Sequence, residues 1–207
     1  MICVMPRAKI QDAEARLLSA GLALFARYGT ERVNSNKIAR RAQVGIGTFY
    51  SHFPDKFSLL RAIESRTLSG LREARLAALR DAGPRPLDQL RASVAAAVRF
   101  SEEHPEAYRV TFGRERAGAA RHGPLVSESS RPTADALRRL QTQGLVQLGL
   151  DVDLAARAYL SMEVGMLLWW REDPSRAQAD QLVETLVELH PLQSARVPEP
   201  GSREAGD

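Results

Sequence analysis

Apolar residues recur every three or four positions almost from end to end of this chain, and no segment alternates with period two over a useful length. That pattern excludes a sheet-based fold and predicts an all-α protein of about nine helices. The helical stripes cover residues 12–28, 35–42, 46–52, 55–80, 87–103, 105–117, 132–148, 152–171 and 177–189. In the first, Leu17, Leu18, Gly21, Leu22, Phe25 and Tyr28 share a face, and Gly29 supplies the C-terminal glycine. In the fourth the stripe is Leu60, Ile63, Thr67, Leu71, Ala74 and Ala78. Asp81-Ala82-Gly83-Pro84-Arg85-Pro86 is a break, and Pro105 opens the sixth helix. The polar, glycine-rich segment 118–131 reads as a loop or a weak helix start. The stretch 191–207 has three prolines and no large apolar residue after Val197, so a disordered tail is expected there.

Composition narrows the class. With 44% hydrophobic and 26% charged residues the chain has an ordinary globular profile. A single cysteine rules out an intramolecular disulfide framework and a Cys-rich zinc site. No apolar run approaches the ~18 residues of a spanning helix. Met1-Ile2-Cys3-Val4-Met5 lacks the pattern of a secretory signal, so a cytoplasmic protein without membrane partners is expected, with Met1 or Met5 as its start. The net charge of +4 is unevenly placed. Residues 1–60 hold 9 basic and 4 acidic side chains (+5), and the remaining 147 hold 20 and 21 (−1). A basic module joined to a neutral one suits a part that meets a polyanion and a part that does something else.

The segment 33–57 carries the sharpest signal. Asn34 is a good N-cap, with Val33 and Ile38 as a hydrophobic staple around it. Ile38, Ala39 and Ala42 face a core, and the two alanines let a second helix cross closely. Gln43-Val44-Gly45 makes a turn with Val44 buried. This is the layout of a helix-turn-helix, whose second helix enters the major groove. In that second helix Phe49 and Phe53 point inward, leaving Gly47, Thr48, Ser51 and His52 outward. Gly45 and Gly47 remove side chains where DNA must come close, and Thr48 offers a methyl or a hydroxyl to a base. Tyr50 and His52 are placed for phosphates. Lys56 stands in the first turn of the next helix, against the macrodipole, where a bound phosphate would suit both it and the free N–H groups. A solvated lysine is the plainer reading of that position.

Residues 12–60 resemble the DNA-binding domain of the tetracycline-repressor (TetR) family. The resemblance rests on Leu24-Phe25 with Tyr28-Gly29, Ile38-Ala39, Ala42, Val44, Gly47-Thr48-Phe49-Tyr50 with His52-Phe53, and Asp55-Lys56 with Leu59. It implies an all-helical homodimer with a three-helix DNA-binding head and a C-terminal domain that binds a small molecule and dimerises. Three positions depart from the family pattern. Gln43 stands where glycine is usual and would sit in a left-handed conformation at a cost on the order of 1 kcal/mol. Gly45 replaces a capping serine, and Phe57 an acidic residue. The expected organisation is a flexible arm (1–11), the head (12–60), a ligand-binding and dimerisation domain (61–190) and the tail (191–207). The residues expected to meet DNA are Asn34, Ser35, Asn36, Lys37, Gly45, Gly47, Thr48, Tyr50, Ser51, His52 and Lys56.

Beyond residue 60 no comparable motif occurs. Residues 154–170 are apolar around nearly the whole circumference, so that helix is expected to bury more than one side. With the following helix it is expected to pair across a two-fold axis as a four-helix bundle, through Glu163, Leu167, Trp170, Leu182, Leu186 and Leu189. A helix central to a monomeric core would show the same pattern. Phe100, Tyr108, Phe112, Tyr159, Met162, Met166 and Trp169 are the expected lining of an effector pocket, with core packing as the alternative for each. His104, His122 and Glu163 could add polar contacts.

The chain is thus expected to be a ligand-responsive transcriptional repressor. It would bind a palindromic operator as a dimer and be released by a small-molecule effector. A nonspecific DNA-packaging protein would spread its charge and use many lysines, whereas here lysines number three against 26 arginines. An enzyme would need a nucleophile–base pair or a metal cluster. The four histidines are scattered, Glu102-Glu103 and Asp151/Asp153 read as solvated faces and helix starts, and no cofactor or metal is expected.

Overall fold

The computed structural model describes residues 7–113, 122–143, 149 and 151–194. Among these residues it contains nine α-helices and no strand: α1 (Arg7–Tyr28), α2 (Ser35–Arg41), α3 (Ile46–His52), α4 (Lys56–Asp81), α5 (Pro86–Glu103), α6 (Pro105–Phe112), α7 (His122–Thr142), α8 (Val152–Glu172) and α9 (Ala179–Glu188). Short 3₁₀ turns follow at Pro174–Arg176 and Pro191–Ser194. The chain divides into two compact units, and the division falls inside α4, between Glu73 and Ala74; residues 103–119 group with the first unit.

The first unit is built around α1. Leu17, Leu24 and Phe25 pack with Val33, Ile38, Ala39, Ala42, Phe49 and Phe53 from α2, α3 and their flanks, and with Leu59, Leu60 and Ile63 from α4. Gly21 makes this crossing possible, since a Cβ there would lie 2.3 Å from Leu59 Cδ2. Val110 of α6 joins the same core, and the Arg109 guanidinium donates to the Ala26 carbonyl at 2.6 Å. Gly29 ends α1 with φ 74° and donates its N–H to Phe25 O at 3.0 Å, the expected C-terminal glycine. Tyr28 departs from the sequence reading, because its ring is 47% exposed beneath the Arg27 guanidinium.

Three helices end or start elsewhere than the pattern predicts: α1 begins at Arg7, five residues before the expected start and inside the stretch 1–11 expected to be a flexible arm, and α6 and α7 also differ. Helix α6 stops at Phe112 rather than running to 117, with the Gly113 N–H bonded to Arg109 O at 2.7 Å. A Cβ at Gly113 would meet that carbonyl at 2.4 Å, so only glycine fits this cap. Helix α7 begins at His122, ten residues before the expected start, and carries Pro132 inside it. An interior proline removes one helical hydrogen bond and normally ends a helix, which is why the pattern suggests a later start. The side-chain expectation for His122, the remainder of the segment 118–131 before it, the stretch 144–148 and most of the tail lie outside the described residues.

In the second unit α7 packs against α8 through Ala134, Leu137 and Ala156. Asp151 caps α8 by accepting the Leu154 N–H at 2.9 Å, and Arg138 of α7 pairs with Asp153. Helix α9 buries Leu182, Val183, Leu186 and Val187, and α5 buries Val94, Ala97, Val98 and Phe100. Helix α8 buries Ala156, Tyr159, Leu160, Glu163, Leu167 and Trp170 on one side. Its other side is open: Leu154 is 69% and Trp169 46% exposed, with Ala158, Ser161 and Gly165 between them.

Candidate nucleic-acid interface

Helices α2 and α3 form the expected helix-turn-helix. Asn34 caps α2 through its side chain, which accepts the Lys37 N–H at 3.0 Å. The staple residues Val33 and Ile38 are both fully buried. The turn closes with Gln43 N–H to Arg40 O at 3.2 Å and Val44 N–H to Ala39 O at 3.0 Å. Gln43 takes φ 55°, the left-handed conformation anticipated for it.

A residue that the sequence pattern does not mark holds this turn. Arg16 on α1 donates Nε and Nη2 to Ala42 O, at 2.9 and 2.5 Å, and Nη2 also to Gln43 O at 2.5 Å. Its Nη1 is 3.4 Å from Asp12. The guanidinium thus takes up carbonyls that the end of α2 leaves open, next to the strained residue. In sequence Arg16 looks like one solvated position among many. Nothing local reveals a partner 26 residues away.

Helix α3 presents the face expected of it. Phe49 is fully buried and Phe53 nearly so, with ring centroids 6.1 Å apart. Gly47, Tyr50 and Ser51 are exposed, and Thr48 and His52 half-buried. Ser51 turns its hydroxyl back onto Thr48 O at 2.8 Å. Gly45 is the N-cap and offers no side-chain bond. Nothing lies within 4 Å of where a Gly47 Cβ would stand, so the fold itself does not require glycine there. Ile46 is 39% exposed at the helix start, an outward apolar group absent from the residues expected to meet DNA. Ser35 is half-buried and Asn36 exposed at the start of α2.

The two lysines described in this part of the unit serve one turn from both sides. Lys37 donates Nζ to Arg32 O at 3.1 Å, and Lys56 donates Nζ to Thr30 O at 2.9 Å while lying 4.9 Å over the Phe57 ring. Lys56 therefore has a structural partner that explains its place in the first turn of α4, and further N–H donors remain on the same ammonium. Asp55 caps that helix by accepting the Ser58 N–H at 2.6 Å. That backbone hydrogen bond, with one from the Ser58 hydroxyl, holds the Asp55 carboxyl below its ordinary pKa.

The residues expected to line an effector pocket fall in both units. Tyr108 and Phe112 belong to the first, buried with ring centroids 4.6 Å apart. In the second, Phe100 and Tyr159 are buried, Met162 and Met166 half-buried, and Trp169 is exposed with Arg176 stacked 5.2 Å from its ring. Of the residues expected at a dimer seam, Glu163, Leu167, Trp170, Leu182 and Leu186 are buried within the protomer's own second unit, and only Leu189 is exposed, at 54%. No group of three metal-ligating side chains occurs among the described residues, and none of their helices is long and apolar enough to cross a membrane.

A three-helix head with its second and third helices in this arrangement defines a helix-turn-helix DNA-binding domain. Residues 17–63 match the family model described as bacterial regulatory proteins, tetR family, and it is this domain that the chain shares with the family. It is 30% identical over 95 residues to the HTH-type transcriptional repressor KstR of Mycobacterium tuberculosis, a match covering 46% of this chain and 43% of that one. It is 25% identical over 177 residues to the HTH-type transcriptional repressor BepR of Brucella suis, covering 80% and 85%. The match thus spans less than half the length of KstR but most of BepR. Among solved structures, that of the SmeT–triclosan complex has the same fold, with a TM-score of 0.69 at 22% identity over 91% of this chain and 98% of that one.

Proposed function

We propose that this chain is a transcriptional repressor that reads a palindromic operator through α3 as a homodimer and is released by a small molecule held in its second unit. The observation that carries the reading is the exposed face of α3. Gly47 has no internal reason to be glycine, and it sits between a clamped turn and an outward Tyr50 that is 56% exposed. A face bare of side chains at a helix start lets a phosphate backbone or base edge approach closely. Thr48, Ser51 and Ile46 then face bases, while Asn34, Ser35, Asn36, Lys37, Tyr50, His52 and Lys56 grip the backbone.

Dimerisation is assigned to the open side of α8. Nothing lies within 4 Å of where a Gly165 Cβ would stand, yet this residue is mid-helix, where glycine costs about 1 kcal/mol relative to alanine. Ala158, Ser161 and Gly165 between Leu154 and Trp169 would let the same helix of a second copy approach closely, with Leu189 at the rim. In such a dimer the two recognition helices stand about one DNA turn, ~34–36 Å, apart. An effector that prefers a different head spacing weakens DNA binding by a reciprocal coupling of about 1–3 kcal/mol. Phe100, Tyr159, Met162 and Met166 are the proposed lining in the second unit. KstR and BepR are named as repressors and SmeT was solved with triclosan, which supports both halves of the reading.

Selection of bound DNA from a random pool tests it. The expected product is one inverted repeat, bound by a dimer in sedimentation. A Thr48→Ala variant changes the preferred base at a fixed position, whereas Tyr50→Phe weakens all sequences alike. Recovery of unrelated sequences, or a monomer at binding concentrations, refutes the proposal.

A further inference from the structure

In the second unit, side chains from α4, α5, α8 and the segment after α9 gather around one carboxylate. Glu163 on α8 is 1% exposed. Its Oε1 accepts Nη2 of Arg75 on α4, and Arg75 Nη1 also donates to the Ser93 hydroxyl on α5 at 3.2 Å. Its Oε2 is sealed from solvent and has no donor among the described residues. Tyr159, one turn back on α8, does not serve it, because the phenol donates to Leu186 O at 3.1 Å. The Tyr159 ring meets His190 at 4.4 Å, edge to face. His190 Nδ1 accepts the Leu192 N–H at 3.1 Å, which leaves its proton on Nε2. Burial, and then the charge of Arg75, push the His190 pKa down to about 4, so the ring is a neutral donor at pH 7.

A buried carboxylate oxygen without a donor opposes folding, and a donor brought by a bound molecule would relieve that cost. The chemistry of the completing group is constrained. Arg75 and Glu163 already balance each other, so a further net charge beside them would be buried without a counter-ion. The occupant is therefore neutral and brings a donor to Oε2. A hydroxyl does this while its own lone pairs accept from a donor such as His190 Nε2–H. The neighbouring surface suits an apolar body: Met166 lies one turn beyond Glu163, half-buried like Met162, and thioethers adapt to varied shapes.

We propose that the second unit recognises a neutral alcohol or phenol whose hydroxyl donates to Glu163 Oε2. The proposal rests on reading this unit as the effector-binding part of a regulator.

Calorimetric titration of the full chain with two matched pairs tests it: 1-decanol against decyl methyl ether, and 2-naphthol against 2-methoxynaphthalene. At least one alcohol is expected to bind about 10- to 100-fold tighter than its ether, the ratio for one hydrogen bond to a charged acceptor. In Glu163→Gln the amide N–H takes an ether oxygen as readily as a hydroxyl, and the ratio should fall to within about threefold. Thr142→Ala, at the exposed end of α7, should leave it unchanged. Where Glu163→Gln does not fold by circular dichroism, Glu163→Asp is read instead, with weaker alcohol binding and unaltered ether binding expected. Equal binding of alcohol and ether, binding of neither, or a ratio that survives Glu163→Gln overturns the proposal. DNA binding by the unliganded chain is followed alongside. Its absence refutes the regulator reading, whereas its presence without an alcohol preference refutes the hydroxyl assignment alone.

Discussion

Replacing Arg16 with methionine isolates the clamp on the helix-turn-helix, since methionine keeps the aliphatic stem and removes the guanidinium. Three N–H···O contacts of 2.5–2.9 Å to Ala42 O and Gln43 O are lost. Each charge-assisted bond is worth about 1.5–3 kcal/mol when well shielded. The Arg16 side chain is 40% exposed, so water reaches the carbonyls after the change and the combined loss reduces to about 1–2 kcal/mol. The ion pair with Asp12 is exposed and adds almost nothing. Urea unfolding followed by circular dichroism reads the loss as a lower midpoint with unchanged slope. The effect should couple to Gln43. At φ 55° a glycine is relieved of strain, and Gln43→Gly should gain up to about 1 kcal/mol. It should gain more in the Arg16→Met background, where the strained turn has lost its brace, giving a non-additive double-mutant cycle. Operator affinity should fall more than stability alone dictates, because the turn sets the angle of α3. A stability change under about 0.5 kcal/mol, the level of an ordinary surface substitution, or strict additivity with Gln43→Gly, would refute the clamp.

Other outcomes follow from the same geometry. His190 is held neutral with a pKa of about 4 against an ordinary 6.5, by burial and then by Arg75. The unfolded chain therefore binds the proton first, and stability should fall as the pH drops from about 6.5 to about 4, by on the order of 2–3 kcal/mol; His190→Phe should flatten that part of a stability–pH curve. Gly21→Ala forces Leu59, fully buried, out of its place, and should lower the melting temperature despite alanine's better helix propensity, for a net loss of about 1–2 kcal/mol. Lys56→Met removes the bond to Thr30 O and should cost about 1 kcal/mol by urea unfolding. If Lys56 also meets a phosphate, the salt dependence of DNA binding becomes shallower by about one ion; an unaltered salt slope would confine it to its structural role.

Much of this molecule is legible where physics is local. The bounds of α3 and the Asn34 cap depend on residues within one or two turns, and a pattern of side chains reports them directly, whereas the left-handed Gln43 is expected only through the family resemblance. The start of α7 ten residues ahead of Pro132 is not legible, because an interior proline normally ends a helix. Polar contacts across long separations are illegible for a different reason. Arg16 with Ala42, Arg75 with Glu163 and Arg109 with Ala26 join positions 26, 88 and 83 residues apart, and a charged side chain on a helix reads as solvated whether or not it has such a partner. Helix α8 shows both sides of this. Its apolar girth is evident in the sequence, but which side meets its own unit follows only from burial, and that turns the proposed pairing face toward Gly165.

The scarcity of lysine has a practical corollary. The chain has three, Lys9, Lys37 and Lys56, all within its first 56 residues. Lys37 and Lys56 brace the turn between α1 and α2 through the carbonyls of Arg32 and Thr30. Amine-directed chemistry, from fluorophore esters to coupling on a sensor chip, therefore falls on the DNA-reading part and loosens it. A protein immobilised that way would have its helix-turn-helix disturbed, so attachment through an added C-terminal tag is the arrangement that leaves both units unmodified.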